Sequence, residues 1–277
     1  MLELRQGHSL SHLLKAAALS RSTFYYQAKA QQAEDVHAGL KARIRAVYEY
    51  HKGRYGYRRV TAALRQAGEA VNHKTVQRLM QALGLKSLVR PKKYRSYRGQ
   101  RANVPNVLAR QFQAHRPNQK WVTDVTEFNV RGEKLYLSPV LDLYNGEIVS
   151  YTMQERPQFS MVSRMLKKAL AKLSGEDAPL VHSDQGWQYQ MAAYQRLLAD
   201  RGLAQSMSRK GNCLDNAAME SFFGTLKSEF FYLNRFENIE QLRTGIREYI
   251  HYYNHERIRP KLKGLSPVQY RTQALAA

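Results

Sequence analysis

A single cysteine, Cys213, stands in a chain of 277 residues, so no internal disulfide can form and no cysteine-built zinc site is available. There is no run of 18 consecutive apolar residues, which removes a membrane-spanning helix from consideration. Met1 to Gln6 carries Glu3 and Arg5 and leads into no apolar signal core, so the expectation is a cytoplasmic protein. Acidic side chains are scarce: 22 Asp+Glu stand against 44 Lys+Arg, for a formal net charge of +22. None at all lies between Glu69 and Asp124. What is present is 43% hydrophobic and 10% aromatic, which excludes a wholly disordered chain. The length fits one to two domains plus small modules. The cation excess calls for an anionic partner, most simply nucleic acid.

The charge is uneven. Residues 1–113 hold 22 basic and 5 acidic side chains, a net of +17, whereas residues 114–277 hold 22 and 17, a net of +5. The acid-free stretch contains Arg90-Pro91-Lys92-Lys93-Tyr94-Arg95-Ser96-Tyr97-Arg98-Gly99-Gln100-Arg101, with six cations and two tyrosines. Like charges repel and little apolar surface is available there, so the run reads as a linker. Its cations Lys92, Lys93, Arg95 and Arg98, interleaved with tyrosines, suit a phosphate backbone.

The first half reads as helices. Ser9 or Ser11 can cap one carrying Leu10, Leu13, Leu14 and Ala17, and Ser20 can cap a second through Phe24, Tyr25 and Gln27. Residues 40–50 form an amphipathic helix. Gly53-Arg54-Tyr55-Gly56-Tyr57-Arg58-Arg59 is a glycine-broken turn loaded with cations, and Arg54, Arg58 and Arg59 are candidate DNA contacts. Helices at about 57–67 and 72–83 follow, with Gly68, Asn72 and Gly84 as stop, cap and stop. Two short helices joined by a turn make a helix-turn-helix pattern. Val76, Leu79, Met80 and Leu83 would then face inward, and His73, Lys74, Gln77, Arg78 and Gln81 would face DNA. A plain helical hairpin with a solvated face has the same pattern; the charge of this half favours DNA.

From residue 120 the period changes. Lys120 to Val130 alternates, and 135–143 and 147–153 are strand-like, with Asn145-Gly146 between them as a type I′ turn. A helix at about 161–173, a strand at 180–183, a helix at 191–201, a strand at 204–208 and helices at 215–232 and 238–253 complete a mixed α/β layered sheet. Asp124 lies in the first strand, with Glu127 on its other face. Asp184 ends the fourth strand, where side chains open into a crevice. Glu220 lies in the first turns of the long helix. The gaps between the three are 59 and 35 residues.

Magnesium or manganese takes hard oxygen ligands, and three converging carboxylates can hold two such ions for in-line displacement at phosphorus. Lys227, seven residues after Glu220 on the same helix face, could hold a DNA phosphate. Asn216, a turn earlier, could bond the substrate strand or an acid. Spacing alone does not single out this triple among 17 acidic residues. Asp142 is the main rival, although the turn after it explains it as a strand-end residue. Asp215 reads as a helix N-cap, His182 as a packed, hydrogen-bonded histidine, and Cys213 as structural.

Trp121-Val122-Thr123-Asp124-Val125-Thr126, His182-Ser183-Asp184-Gln185-Gly186 and Asp215-Asn216-Ala217-Ala218-Met219-Glu220-Ser221-Phe222-Phe223 resemble the motifs of the DDE transposases. The similarity is to the bacterial insertion-sequence-three family, and to its second reading frame. The 35-residue gap, the basic residue seven after the glutamate, the Gly53–Arg59 motif, Tyr252-Tyr253-Asn254 and Leu265-Ser266-Pro267 extend the resemblance over nearly the whole chain. The resemblance implies an RNase H-like mixed sheet flanked by helices, preceded by small all-α helix-turn-helix modules. It implies Asp124, Asp184 and Glu220 as catalytic metal ligands. The domain reading is a helix-turn-helix-like segment at 1–38, a DNA-binding domain at 39–89, a basic linker at 90–115 and the catalytic domain with its C-terminal helix at 116–277. The implied partners are the element's terminal inverted repeats and target DNA, further copies of the chain on DNA, and a first-frame product joined by frameshifting. The expected location is the cytoplasm, on the nucleoid. Two rivals remain: a non-catalytic DNA-binding regulator, and a stand-alone RNase H-type nuclease.

Overall fold

The computed structural model describes residues 3–32, 35–89, 104–209 and 213–276. Lys92, Lys93, Arg95 and Arg98 therefore fall outside the described residues. The chain forms two compact units, residues 1–46 and 47–277. In the first, the Ser9 hydroxyl accepts from the His12 amide at 3.4 Å and caps α1 (Leu10–Ala16). Ser20 accepts from the Thr23 amide at 3.1 Å where α2 (Arg21–Gln32) begins. Both caps follow the sequence reading. The next helix, α3 (Ala38–Tyr50), crosses the boundary between the units.

The second unit begins with a helical pair, α4 (Tyr57–Gln66) and α5 (His73–Ala82). Asn72 caps α5 by accepting from the Lys74 amide at 2.8 Å. Val60, Leu64, Val76, Leu79 and Met80 are buried, while His73, Lys74, Gln77, Arg78 and Gln81 are exposed, as expected.

The turn before α4 departs from expectation. Gly53 has φ +71°, and a Cβ there would lie 2.7 Å from Leu88 Cδ1, so glycine is required. Tyr55 is fully buried, its hydroxyl accepting from the Ile258 amide at 2.7 Å, and His51 stacks on its ring at 3.7 Å. Arg54 is buried too. It lies 4.7 Å over the Tyr252 ring and donates to the Glu229 carbonyl at 3.0 Å. Arg59 donates to Glu229 Oε1 at 3.0 Å. Of the three arginines read as DNA contacts only Arg58 is exposed. The other two plug the helical pair onto the helices Ala217–Glu229 and Ile239–His255, because the buried Glu229 partners them there.

The sheet has six strands among the described residues: β1 (Lys120–Thr123), β2 (Thr126–Val130), β3 (Glu133–Asp142), β4 (Ile148–Gln154), β5 (Leu180–Ser183) and β6 (Gln205–Met207). The segment expected as one strand over 120–130 is interrupted at Asp124 and Val125. The two pieces nevertheless keep one register against β3, with Thr123 opposite Val140 and Thr126 opposite Leu137. β4 runs antiparallel on the other side of β3, and β5 and β6 continue the sheet in parallel with β1. The β3–β4 turn is not type I′, which needs positive φ at both central residues. Gly146 alone is left-handed, at φ +75°, while Asn145 donates its side-chain Nδ2 to the Pro267 carbonyl at 2.9 Å.

Alternation along the strands sends side chains to two buried faces. Trp121, Val140 and Val181 pack with α6 (Phe159–Leu170) and with α7 (Trp187–Gln190) and α8 (Ala192–Ala199). Val122, Phe128 and Leu137 pack with α9 (Ala217–Glu229) and α10 (Ile239–His255). The last helix is α11 (Pro267–Ala276). No helix among the described residues is long and apolar enough to cross a membrane.

Candidate active site

Thr123 and Ser183 are register partners on the adjacent parallel strands β1 and β5. Asp124 and Asp184 are the next residue on each chain, and neighbouring strands lie about 4.8 Å apart, so the two carboxylates leave the sheet side by side. Val122 packs against Met219 and Phe222 of α9, and Phe128 and Val130 lie in the same cluster. The parity of these positions puts Asp124 on the α9 face. Glu220, in the first turn of α9, comes over that face. All three acids are half-buried.

Backbone amides aim the pair. The Val125 amide donates to Asp124 Oδ1 at 2.7 Å, and the Gly186 amide donates to Asp184 Oδ1 at 2.9 Å. Burial pushes Asp124 well above the usual carboxylate range, and the charges of Asp184 and Glu220 push it further. Lys227 opposes that shift, so its ammonium acts on the same site; it also lies 5.2 Å over the Phe128 ring. Burial raises Asp184 and Glu220 as well. Three acids that resist ionisation because they share one buried face fit a hard divalent cation, whose charge would reverse each shift. Among the described residues no group of three His, Cys, Asp or Glu side chains is set to hold a metal ion.

Other sequence candidates take supporting places. Asn216, read as a contact to DNA or to an acid, is buried; its amide donates to the Thr123 carbonyl at 3.3 Å and ties the start of α9 to the end of β1. It is a strut beside Asp124. Asp142 is buried, accepts from the Asn118 and Tyr144 amides at 2.8 and 3.0 Å, and pairs with Arg271. Asp215 is not an N-cap. It is buried in the turn before α9 and binds Arg110 at 2.7 Å and Arg209 at 2.9 Å. His182 is packed as expected, with its ring nitrogens 2.8 Å from Ser206 Oγ and 3.1 Å from Ser208 Oγ. The Cys213 side chain lies outside the described residues.

The sequence reading misses two features. Tyr189 is fully buried below the site, its hydroxyl 3.4 Å from Thr123 Oγ1; burial raises its phenol, and the charges of Asp124 and Asp184 raise it further. Glu229 gathers Arg59, Arg257 and Tyr249 at the far end of α9. Tyrosine and glutamate are common, and only the folded chain shows which are buried together.

The chain is similar to known proteins along most of its length. Residues 114–213 match the integrase core domain, residues 220–275 match a second integrase core domain description, and residues 35–93 match an HTH-like domain. A protein of Escherichia coli (strain K12) named as a transposase for insertion sequence element IS150 is 57% identical over 272 residues, covering 98% of this chain and 96% of its own. A transposase-like protein of Haemophilus influenzae is 59% identical over 206 residues, covering 74% of this chain and 95% of its own. The E. coli transposase for insertion sequence IS3A is 36% identical over 237 residues, covering 84% and 82%. With an integrase core matched over 114–213 and again from Glu220 onward, and a relative named as an insertion-sequence transposase 57% identical over nearly the whole chain, the chain belongs to the integrase-core transposases of bacterial insertion sequences, in the insertion-sequence-three family.

Proposed function

We propose that this chain binds the ends of its insertion sequence and catalyses strand cleavage and strand transfer, with Asp124, Asp184 and Glu220 holding two magnesium or manganese ions. The observation that carries this is the placement of Asp124 and Asp184 directly after the register partners Thr123 and Ser183, with both carboxyls and that of Glu220 raised. Bound there, the ions would supply positive charge at the scissile phosphodiester. The chain's own contribution is position. Val125 and Gly186 fix the two aspartates, Asn216 ties α9 to β1, and Lys227 holds a phosphate beside them. In cleavage, water attacks phosphorus in line and the P–O3′ bond breaks, leaving a 3′-hydroxyl. In transfer that hydroxyl attacks a second phosphodiester, whose own 3′ oxygen departs.

The exposed face of α5, with Lys74 and Arg78, together with Arg58, supports assigning residues 39–89 to DNA contact. Residues 90–115 then serve as the basic linker and 116–277 as the catalytic domain, with 1–38 a further helix-turn-helix-like segment. The substrates are the terminal inverted repeats and target DNA. The assembly is a homo-oligomer on the cellular DNA, joined by the first-frame product.

The test is cleavage and joining of a labelled linear duplex carrying the element's ends, with magnesium, with and without the first-frame segment fused. Glu220→Gln and Asp184→Asn should each lower the rate by at least about 10³-fold, while end binding changes less than about twofold. Cleavage retained in either variant removes the metal role. Binding without cleavage in every form favours the regulator.

A further inference from the structure

On the far side of β3 from the paired acids, β4 is an outer strand of the sheet among the described residues. It lies two strands from β1, about 10 Å across the sheet. This edge floors a groove of about 790 Å³ whose walls come from α6 and α10. On one wall Arg164, Lys168 and Lys172 recur every four residues; on the other Arg243, Arg247 and His251 do the same. That spacing places Arg164 and Lys168 on one face of α6, and Arg243, Arg247 and His251 on one face of α10, in steps of about 6 Å, while Lys172 lies just past the end of α6. Among the described residues no aspartate or glutamate lines the groove.

The floor is not a template for another strand. Lys172 donates to the Val149 carbonyl at 2.5 Å, Arg243 to the Met153 carbonyl at 3.3 Å, and the Asn254 amide group bonds Ile148 through both its oxygen and its nitrogen, at 2.9 and 3.0 Å. An edge blunted this way discourages strand addition by a protein. Arg243 is already engaged by Glu155 at 3.2 Å and Glu240 at 3.0 Å. Arg164, Lys168 and Arg247 are exposed and form no ion pair with any described residue. Holding like charges in two facing rows costs self-repulsion, which an anion between the rows would relieve. A second copy of this basic chain offers the wrong charge.

We propose that this groove binds the sugar-phosphate backbone of a DNA segment other than the one at the acids. The inference rests on the reading of the chain as an enzyme acting on DNA, and it adds a second DNA track on the catalytic domain. Two sources offer that backbone: the element's own DNA beyond its end, and target DNA.

The full chain is tested by lysine acetylation footprinting, using one duplex that carries an element end and one that does not. Lys168 should be protected at least about fivefold by one duplex or the other. Protection by the end-bearing duplex alone identifies element DNA; protection by the endless duplex identifies target DNA. In parallel, the Lys168→Glu, Arg247→Glu double variant should bind the protecting duplex at least tenfold more weakly. Its salt dependence, log Kd against log salt, should flatten by about two units, roughly 0.9 for each phosphate no longer neutralised. Both substitutions are on exposed side chains, and thermal unfolding checks that the fold is kept.

Unprotected Lys168 with an unchanged salt slope overturns the proposal. So does a variant that loses binding to polyglutamate but not to DNA, which points to an acidic protein instead. Because binding and protection are read without turnover, a Glu220→Gln chain gives the same answer, and failure of catalysis is distinguishable from failure of the groove.

Discussion

Arg59, at the start of the helical module, donates to Oε1 of Glu229, the last residue of the helix that carries Glu220, at 3.0 Å across 170 residues of sequence. Arg257 completes the site with two bonds, at 2.7 Å to Oε2 and 2.6 Å to Oε1, and the Tyr249 hydroxyl adds a third partner at 3.0 Å. One buried carboxylate thus joins the module that presents α5 to the helix that presents the third acid. Removing one partner of a buried charge leaves the other uncompensated, so Glu229→Ala should destabilise by about 3–5 kcal/mol. Urea unfolding of the second unit's tryptophan signal measures it.

The same carboxylate sets an acid limit. Burial alone would raise Glu229, but bonds from Arg257 and Arg59 and their charges outweigh it and hold the group at about 2 against a usual 4.5. A depressed carboxyl stabilises the fold above its unfolded value, and that stability drains away as pH falls through the native one. The wild type should therefore lose on the order of 3 kcal/mol between pH 4.5 and pH 2. Glu229→Gln should be less stable at pH 7 and should show a flatter decline over that window. Parallel pH profiles of the two proteins refute this.

The three acids predict the opposite response to metal. Burial and like charge make their ionisation unfavourable. Magnesium at pH 7 should therefore raise the unfolding temperature of the wild type by several degrees, by preferential binding to the folded state. Asp184→Asn removes one of the facing charges. Its metal-free form should melt at or slightly above the wild type and should gain nothing from magnesium. A metal-induced rise equal to that of the wild type would place the ion elsewhere.

Strand period and strand ends place Asp124 after Thr123 in an alternating run and Asp184 at the end of a short strand, but they do not separate these acids from the others; the motif resemblance is what joins them to Glu220. The two helices of the module are legible from Asn72 and from the spacing of Val76, Leu79 and Met80. Arg54 is not, because its burial depends on Glu229 and Tyr252, far along the chain, and local charge density says nothing of distant partners. The start of α11 carries a signal that strand and helix periods pass over. Ser266 and Gln269 cap one another, at 2.9 and 3.3 Å, with Pro267 at the first helical position.

Gly186 is a sharp local test of the site. A Cβ there would lie 3.0 Å from Asp184 Oδ1 and 3.2 Å from the Tyr189 ring. Tyr189 is fully buried and cannot yield, so the Asp184 carboxylate must shift. Misplacement of a reacting group by about 1 Å costs up to about 10²-fold in rate. Gly186→Ala, which displaces that carboxylate by a few tenths of an ångström, should cut strand cleavage by up to about 10-fold while leaving DNA affinity within twofold. An unaltered cleavage rate would mean that the Gly186–Asp184 contact does not position the acid.

Arg54 and Lys74 separate structure from recognition. Both are cations of the amino-terminal half, but Arg54 is 8% exposed and bonded to the Glu229 carbonyl, whereas Lys74 stands on the open face of α5. Arg54→Ala removes a buried hydrogen bond and the packing over Tyr252, and should lower stability by about 2–3 kcal/mol. Lys74→Ala should leave the unfolding midpoint within about 0.5 kcal/mol. It should instead weaken duplex binding evenly across sequences and reduce the salt slope by about one unit. If Arg54→Ala changes the salt slope without changing stability, the turn at Gly53 faces DNA and its docking on α9 and α10 is wrong. If Lys74→Ala alters neither, the open face of α5 is a solvated surface and the recognition helix lies elsewhere.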